Sequence, residues 1–526
     1  QILLNDTPLD HTQIGAISVV GVALNKEPPA APVLTEILNG LGEVILNWED
    51  NQEPDLAGYR VYRRLLPFGD FALLQDHPHE TNLVSRYIDR SVGLGNLYEY
   101  QISAVDLYGN ESARIGPFTA RPRPFGDSPL PVYSIAIDPD TLWLLNQNVY
   151  EDDYYTCSVT LEGTQYDAEL RYRGAMARPL SKKSYKIRLP EPFYQNRTKL
   201  NCNADMVDPC GMRSSLSMWL FDRCRVPAPR THLRALVLNG QYMGYYCDVE
   251  QPDKYFLENH DLDGGASIYK CFDRLIALDD SLDYHEHYEK ETNEDEPWSD
   301  LITFIETLNA VPDEDFYETF MDWLDFDEWL RYYAVLNTVD DGDSYSKNYY
   351  LCHDLDEDLW MVLPWDKDLT WGLRMAFHPG VSWEHSLTQG SSVYSNILAY
   401  RMMDQPVLKN LYASVLYEHV IELAPLDTVY AAIDAAHAEV EANGEVDVRK
   451  WYWEENDRLR DCDGEIRMFA EGRYGHILEN VGGLVVPQEL YINEFMADNE
   501  TVIADEAGEY DDWIEIYNPG PDPVDM

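Results

Sequence analysis

The chain has 526 residues, with 94 acidic side chains against 39 basic ones and a formal net charge of −55. This charge disfavours nucleic acid and anionic membrane surfaces as partners, and it favours cations and basic protein segments. The length exceeds what one hydrophobic core normally holds and predicts about three or four domains.

The chain begins with a segment that includes ISVVGVALNKEPPAAP, which is similar to the last strand and linker of a β-sandwich. We therefore assign residues 1–27 to the end of a preceding module. Gln1 is no natural start, so we expect that a leader has been removed. No apolar run reaches the ~18–20 residues of a membrane span, so we predict no transmembrane helix.

Residues 28–125 contain short alternating segments, EVILNW, GYRVYRRL, FALLQ and YEYQISAVD, with turn residues between them. This pattern predicts an antiparallel β-sandwich of about 100 residues. Trp48, Tyr59 and the stretch LYEYQISAVDLYGNES resemble a fibronectin type III domain, in which Trp48 would be a core residue and Tyr98 a corner residue. The Pro-rich segment RPRPFGDSPLPV then predicts a semi-rigid linker.

The next segments, SIAIDPDTLWLLN, YYTCSVTLEG, YDAELRYRG and KSYKIRL, are predicted to be strands. In the last of these, one face carries Lys183, Tyr185, Ile187 and Leu189. A lysine on this apolar face points inward, as does the lysine that binds nucleotide phosphates in protein kinases, so Lys183 is our candidate for that role. By its sequence motif alone, Lys182 is an equally good candidate for the phosphate-binding lysine. Lys186 and Arg188, on the other face, are better explained as surface residues.

CGMRSSLSMWLFDRC predicts a helix, and Arg213 near its start is a candidate phosphate contact, although a surface ion pair is equally expected. Asn239-Gly240 predicts a hairpin turn, with a helix from about Pro252 onward. Glu250 closes the second strand of this hairpin. Considered alone, an acid at a strand end is most simply a surface residue.

Eight cysteines are spread along the chain without CxxC spacing, which disfavours a zinc site. Their even number favours disulfides, and Cys202 with Cys210 is the most plausible local pair. Buried free thiols are the alternative.

Three helices are predicted over residues 299–337, and residues 392–480 are predicted to be nearly all helical. The run Asp279–Glu328 contains nineteen acids and one lysine. A solvated face, or adaptation to salt or calcium, explains this run better than a surface for docking a substrate.

The stretch Asn337–Gly372 combines aspartates with apolar strands. NYYLC and LWMVLPW predict a hairpin with HDLDED as its turn. Asp343 precedes the first strand, and Asp366 and Asp368 follow the second, so these acids lie at the same end of the hairpin. Asn348 follows Asp343 by five residues, the spacing between the catalytic-loop aspartate and the metal-binding asparagine of protein kinases. An aspartate in a turn is usually only a cap, but the apolar surroundings of Asp366 call for a cation or a donor.

This stretch, with YRGAMARPLSKKSYKIRL and LVLNGQYMGYYCDVEQPDKYFLENH, resembles the CotH spore-coat protein kinase family. PWDKDLTWG and NGQYMGYY are its most specific motifs. The resemblance implies an atypical α+β protein-kinase-like domain over residues 130–483 of a secreted or cell-surface bacterial protein. It further implies ATP with Mg²⁺ or Mn²⁺ as cofactors and a protein substrate phosphorylated on Ser or Thr.

The resemblance assigns roles to individual residues. Asp343 would accept the hydroxyl proton, with Asp340 or Asp341 in its place if the loop is shifted. Asn348 and Asp366 would bind the metal, and Asp368 would be a second ligand or a capping residue.

On the nucleotide side, Lys183 or Lys182 would pair with Glu250. Arg173, before Gly174, would stand at a glycine turn near phosphate. The chain has no GxGxxG motif, so a pseudokinase remains an alternative.

Residues 488–526 resemble the opening strands of a lamin-tail-like sandwich that stops before it can close, so we expect a fragment at both ends. We also keep two other functions open. The first is a structural or adhesive surface or filament protein whose kinase-like scaffold binds structural Ca²⁺ through its acids. The second, ranked last, is a glycoside hydrolase with paired carboxylates.

Overall fold

The computed structural model describes residues 27–76, 85–174, 177–208, 210–280, 282–344, 346–373, 383–388, 396–451, 462–485, 491–496 and 513–517. The chain divides into two compact units, Gln1–Arg123 and Pro124–Met526, and each is described by itself. The module predicted for residues 1–27 lies outside the described residues apart from its last residue.

The first unit contains two antiparallel sheets that share one core. Its strands are β1 (Leu34–Asn39), β2 (Val44–Trp48), β3 (Leu56–Leu65), β4 (Ala72–Asp76), β5 (Arg86–Asp89), β6 (Tyr98–Asp106) and β7 (Ile115–Ala120). The sheets have the orders β1-β2-β5 and β4-β3-β6-β7. Trp48 and Tyr59 pack edge to face in the core with ring centroids 5.1 Å apart. The four strands predicted from alternation in this region are confirmed.

The second unit begins with a closed seven-stranded barrel. Its strands are β8 (Val132–Ala136), β9 (Tyr155–Leu161), β10 (Thr164–Tyr172), β11 (Tyr185–Arg188), β12 (Lys199–Asn203), β13 (Thr231–Leu238) and β14 (Gln241–Glu250). They close in the order β10-β11-β12-β14-β13-β8-β9 around aliphatic and tyrosine side chains. The predicted turn at Asn239-Gly240 is confirmed, and both residues have positive φ.

Two helices pack with the barrel, α1 (Pro139–Gln147) and α2 (Arg213–Arg223). The sequence prediction of a continuous strand through SIAIDPDTLWLLN is wrong after Ala136. Asp138 caps a helix there by accepting hydrogen bonds from the backbone N–H groups of Asp140 and Thr141, and Pro139 occupies the first helical position.

A second sheet, in the order β16-β15-β17-β18, follows the barrel. Its strands are β15 (Ser267–Cys271), β16 (Tyr288–Lys290), β17 (Tyr349–Asp354) and β18 (Leu359–Pro364). The helices of this region are α3 (Lys254–Asn259), α4 (Tyr284–His287), α5 (Ser299–Ala310), α6 (Phe316–Phe320) and α7 (Phe326–Thr338). Strands β17 and β18 form the predicted hairpin, and Tyr349 pairs with Pro364. The loop before β17 and the loop after β18 therefore lie at the same end of the hairpin, as predicted.

The C-terminal part of the second unit is mainly helical, as predicted. Its helices are α8 (Ile397–Asp404), α9 (Pro406–Glu418), α10 (Leu426–Trp451) and α11 (Cys462–Asn480). A last hairpin pairs β19 (Tyr491–Met496) with β20 (Trp513–Tyr517). Most of residues 488–526 lies outside the described residues, so the lamin-tail-like module stays a prediction. Within the part of the chain that the structure describes, no helix is long and apolar enough to span a bilayer.

The structure contradicts the disulfide predicted from the sequence. Cys202 is a free thiol buried inside the barrel core, whereas Cys210 is disulfide-bonded. The predicted Cys202–Cys210 pair is therefore wrong, because β12 directs Cys202 into the barrel core, where its thiol is free.

His353 joins the β17–β18 hairpin to the start of α5. Its Nδ1 lies 3.0 Å from Asp300 and its Nε2 3.0 Å from Asp358, while its ring stacks on Trp360 with centroids 4.2 Å apart. Burial lowers the pKa of His353, but the hydrogen bonds to the two carboxylates outweigh burial and raise it above the ordinary value. Only the charged imidazole can donate to both acids.

The raised pKa of His353 predicts a stability that depends on pH. The stabilising contribution is fully present below the ordinary histidine pKa and is lost as the pH rises through the pKa of the folded state. We expect His353→Gln to lower the free energy of unfolding more at pH 6 than at pH 9, as measured by urea unfolding. Equal losses at both pH values would contradict the assignment.

Candidate active site

A buried lysine joins the two loops at the end of the hairpin. The Lys367 ammonium lies 3.1 Å from Asp341, 2.6 Å from Ser344 Oγ and 3.1 Å from the backbone carbonyl oxygen of Asn348. It also donates to the carbonyl oxygen of Trp365 at 2.8 Å. Its side chain is fully buried, so this one charge fixes the loop before β17 against the loop after β18.

Asp343 lies on the first of these loops and is only partly buried. The Asn348 side-chain amide donates to Asp343 Oδ2 at 2.9 Å, and Lys347 Nζ lies 3.2 Å from the same oxygen. The backbone N–H of Asp343 donates to Asp341 Oδ1 at 3.0 Å. Among the described residues, Asp343 Oδ1 has no hydrogen-bond donor. One carboxylate oxygen is thus held in place while the other remains open to a ligand.

The two predicted substitutes for Asp343 have other partners. Asp340 Oδ2 lies 2.8 Å from His385 Nδ1, and Asp341 is paired with Lys367. Both aspartates are buried, so Asp343 is the accessible acid of this loop.

Asp366 lies on the second loop, with an exposed side chain and a left-handed backbone at φ 56°. Its carboxylate makes no hydrogen bond or ion pair with any residue that the structure describes. Asp340, Asn348 and Trp371 are also left-handed. Such conformations are strained for residues other than glycine, and they concentrate at functional sites.

Three further acids lie close to Asp366. Burial and the neighbouring charges of Asp208 and Asp366 raise the pKa of Asp205 to about 7. Burial, followed by the charges of Asp366 and Asp205, raises the pKa of Asp368 well above its ordinary value. Asp208 caps α2 by accepting hydrogen bonds from backbone N–H groups, including that of Arg213 at 2.9 Å. Asp205 and Asp208 were missed because the sequence gives no sign that the loop before α2 reaches Asp366.

Helix α2 also contacts the second loop directly. Ser217 Oγ lies 3.0 Å from Thr370 Oγ1 and accepts a hydrogen bond from Trp371 Nε1 at 3.1 Å. Because both partners follow Asp366 and Asp368 closely, α2 helps to set the position of these acids.

Two cations of the barrel, Arg173 and Lys186, interact with each other, and Arg173 also interacts with one of these acids. Arg173 interacts electrostatically with Asp366, lies 5.5 Å from the Trp365 ring centroid and donates to Asn203. Lys186 makes no hydrogen bond or ion pair with a described residue. Burial, aided by the charges of Lys199 and Arg173, lowers the pKa of Lys186 to about 7, although Glu291 acts in the opposite direction.

These two cations are unusual in a chain in which acids outnumber bases 94 to 39. Neither Arg173 nor Lys186 has a carboxylate within ion-pair distance among the described residues. Half-buried cations with no carboxylate at ion-pair distance are available to an anionic ligand.

The structure corrects the predicted role of the strand lysine. Strand β11 begins only at Tyr185, so the alternation does not extend back to Lys183, which instead donates to the carbonyl oxygen of Arg178 at 2.5 Å. The buried lysine is Lys182, 2.9 Å from Asp447 and 2.7 Å from the carbonyl oxygen of Tyr245. Lys182 therefore holds α10 against β14.

The predicted pairing of Glu250 with a strand lysine is also wrong. Glu250 lies 2.6 Å from Arg230, 2.8 Å from Asn259 and 2.9 Å from His260. These partners outweigh burial and lower the pKa of Glu250.

Arg213 forms an ion pair with Asp208 at 2.5 Å. The sequence predicted either a phosphate contact or an ion pair at the surface, but this ion pair is buried.

Two observations define what the site can bind. In the described part of the chain, no group of three or more His, Cys, Asp or Glu side chains forms a complete metal site. Mg²⁺ commonly binds through one or two carboxylates and takes its other ligands from phosphates and water, which fits the open carboxylate of Asp366. A partly open cavity of about 20 Å³, lined by Tyr332, Ser344 and Met402 among others, is too small for a nucleotide.

Comparison with known proteins places this site in a family. A family model described as CotH kinase protein matches residues 170–477, more than half of the chain. The chain belongs to the CotH kinase protein family. The inner spore coat protein H of Bacillus subtilis (strain 168) is 27% identical over 321 residues, which are 60% of this chain and 87% of that protein.

Two solved structures show weaker similarity to this CotH family chain. The Helicobacter pylori proinflammatory kinase CtkA is 8% identical over 62% of this chain and 93% of its own, with a TM-score of 0.23. An Fn3-like protein from Clostridium thermocellum is 23% identical over 18% of this chain and 92% of its own, with a TM-score of 0.15. Both TM-scores are too low to establish a shared fold.

Proposed function

We propose that this CotH family chain transfers the γ-phosphoryl group of ATP to a Ser or Thr hydroxyl of a protein, with Mg²⁺ or Mn²⁺. The observation that carries the proposal is a pair of interacting barrel cations, Arg173 and Lys186, of which Arg173 interacts with the open carboxylate of Asp366. Phosphoryl transfer requires little more than positioning and charge neutralisation, which such an arrangement supplies.

The acids and the cations would act on different parts of the nucleotide. Asp366, with Asn348 and Asp368, would hold the metal ion. When bound, this ion would neutralise charge on the phosphates. Arg173 and Lys186 would contact phosphate oxygens from the barrel side, in the role first predicted for Lys183 and Glu250. Structural Ca²⁺ at other acids stays a prediction.

Asp343 would act on the acceptor. Its Oδ2 is held by Asn348, so Oδ1 is the oxygen available to the substrate hydroxyl. A carboxylate within ~2.6–3.2 Å of that hydroxyl can orient it and accept its proton. The carboxylate does not need to be a strong base, because the transition state is largely dissociative.

The place of action and the finer fold are proposed on similar grounds. The relative named inner spore coat protein H supports a coat-associated or extracellular location, with a coat or surface protein as substrate. We assign residues 130–483 an atypical α+β kinase-like fold, residues 28–125 a fibronectin type III fold and residues 488–526 a lamin-tail-like fold. The flanking modules would serve surface assembly.

Substitution of the two barrel cations tests the proposal. We expect Lys186→Met and Arg173→Met each to raise the KM for ATP by about 10- to 100-fold, because each removes a charge-assisted contact worth ~1.5–3 kcal/mol. The measurement is transfer of ³²P from [γ-³²P]ATP to the chain itself and to a Ser/Thr peptide library. Lys409→Met, which removes a lysine of α9, is the matched control and should behave as the wild type.

A thermal-shift series separates the proposed function from its main alternative. ATP with Mg²⁺ should raise the unfolding temperature of the wild type and of Lys409→Met, and have little effect on Lys186→Met. Strong stabilisation by Ca²⁺, with none by ATP and Mg²⁺ and no phosphate transfer, would instead support a scaffold without catalytic activity.

A further inference from the structure

Lys347 occupies an unusual position beside the proposed base. It lies on the loop between Asp343 and Asn348, and its ammonium is 3.2 Å from Asp343 Oδ2. Asn348 donates to the same oxygen at 2.9 Å. Two donors therefore converge on one carboxylate oxygen, while the other oxygen has no donor among the residues that the structure describes.

The contact does not have the features of a purely structural ion pair. The Lys347 side chain is 45% exposed, so the pair itself contributes little to stability. The structural charge of this loop is the fully buried Lys367, which already holds Asp341, Ser344 and the carbonyl oxygen of Asn348. An ammonium has three donors, and only one of those on Lys347 has a partner in the described residues.

The position of this ammonium relative to the reacting atoms follows from simple distances. An acceptor hydroxyl on Asp343 Oδ1 would lie within ~2.6–3.2 Å of it, and the attacked phosphorus ~3–3.5 Å beyond that hydroxyl. Lys347 Nζ contacts the other oxygen of the same carboxylate, Asp343 Oδ2. A flexible lysine side chain can therefore reach a non-bridging oxygen of the group in transfer and still contact Asp343.

We propose that Lys347 is a positioning residue for phosphoryl transfer, which rests on the function proposed above. With Asn348 it holds Asp343 Oδ2, so that Oδ1 points to the Ser or Thr hydroxyl of the acceptor. Its remaining donors bind the transferred group. The hydroxyl oxygen forms a bond to Pγ, the bond between Pγ and the β,γ-bridging oxygen breaks, ADP leaves with that electron pair, and the hydroxyl proton passes to Asp343.

Arg173 and Lys186 cannot replace Lys347 in this role. Arg173 lies over the Trp365 ring and interacts with Asp366, on the metal side of the site. These two cations are proposed to bind ground-state nucleotide, whereas Lys347 touches the acceptor side. Removal of Lys347 should consequently reduce kcat and change the KM for ATP little.

The test compares Lys347→Met, Lys347→Arg and the control Lys409→Met with the wild-type chain. Initial rates of ³²P transfer are measured against ATP concentration at saturating Mg²⁺, with the unfolding temperature of each variant measured in parallel. We expect Lys347→Met to lower kcat about 100-fold, comparable to removing one transition-state donor, with an ATP KM within about 3-fold of the wild type. Lys347→Arg should recover at least about one tenth of the wild-type kcat.

Three results would overturn the positioning role of Lys347. Unchanged kcat in Lys347→Met overturns the positioning role while leaving the proposed function intact. A low kcat accompanied by a large fall in unfolding temperature, with no recovery in Lys347→Arg, assigns Lys347 to structure and overturns the inference. Absence of transfer by the wild type under all metal conditions overturns the proposed function and this inference together.

Discussion

Asp366→Asn is expected to lower the rate of γ-phosphate transfer by about 10³-fold, because it removes the open carboxylate proposed to bind the metal ion. Stability should change little. Asp366 is exposed and has no hydrogen bond or ion pair with a described residue, and asparagine tolerates its backbone φ of 56° as well as aspartate does. Transfer of ³²P and the unfolding temperature are measured on the same preparation.

The matched control for this variant is Asp261→Asn. Asp261 is also exposed and left-handed, with φ 55°, but it follows α3 outside the site. It should transfer phosphate at the wild-type rate. A fully active Asp366→Asn protein would remove Asp366 from the mechanism, and equal losses in both variants would show that the effect is not specific to the site.

Lys367→Met is expected to abolish phosphate transfer and to lower the free energy of unfolding by about 3–5 kcal/mol. The substitution leaves the buried Asp341 carboxylate without its cation, and it releases the contacts to Ser344 and to the carbonyl oxygens of Asn348 and Trp365. The loop that carries Asp343 then loses its attachment to the loop that carries Asp366. Urea unfolding measures the first effect and ³²P transfer the second.

A double variant separates the two effects of this lysine. Asp341→Asn combined with Lys367→Met removes both buried charges, so its loss of stability should be smaller than the sum of the two single losses. Phosphate transfer should nevertheless remain absent, because the tie between the loops is still missing. Recovery of activity in the double variant would mean that Lys367 only compensates the charge of Asp341.

The hairpin and the bond within its first loop could be predicted from the sequence because they are local. Short apolar runs predicted β17 and β18, and their pairing places Asp343 and Asp366 at one end. The five-residue spacing between Asp343 and Asn348 corresponds to a hydrogen bond of 2.9 Å. Short-range patterns of this kind are set by strand geometry and do not depend on the rest of the chain.

Apart from Arg173, which the family resemblance places near phosphate, the cations of the site could not be assigned in the same way. Alternation along β11 correctly placed Tyr185 and Ile187 inside the barrel, but it cannot show that the outer side around Lys186 is partly buried by other parts of the unit. The burial of Lys182 depends on Asp447, which is 265 positions away. Glu250 pairs with Arg230 and His260, and strand patterns do not reveal that these residues are its neighbours.

The central claim is that acids of two loops and cations of the barrel bind one metal–triphosphate complex. A crystal structure of the chain with Mn²⁺ and a non-hydrolysable ATP analogue, with data collected at the manganese absorption edge, tests it most directly. We predict an anomalous peak about 2.0–2.3 Å from a carboxylate oxygen of Asp366. We also predict phosphate oxygens within hydrogen-bond distance of Lys186 and Arg173. Manganese bound elsewhere, with the nucleotide absent from these side chains at saturating concentration, would contradict the account.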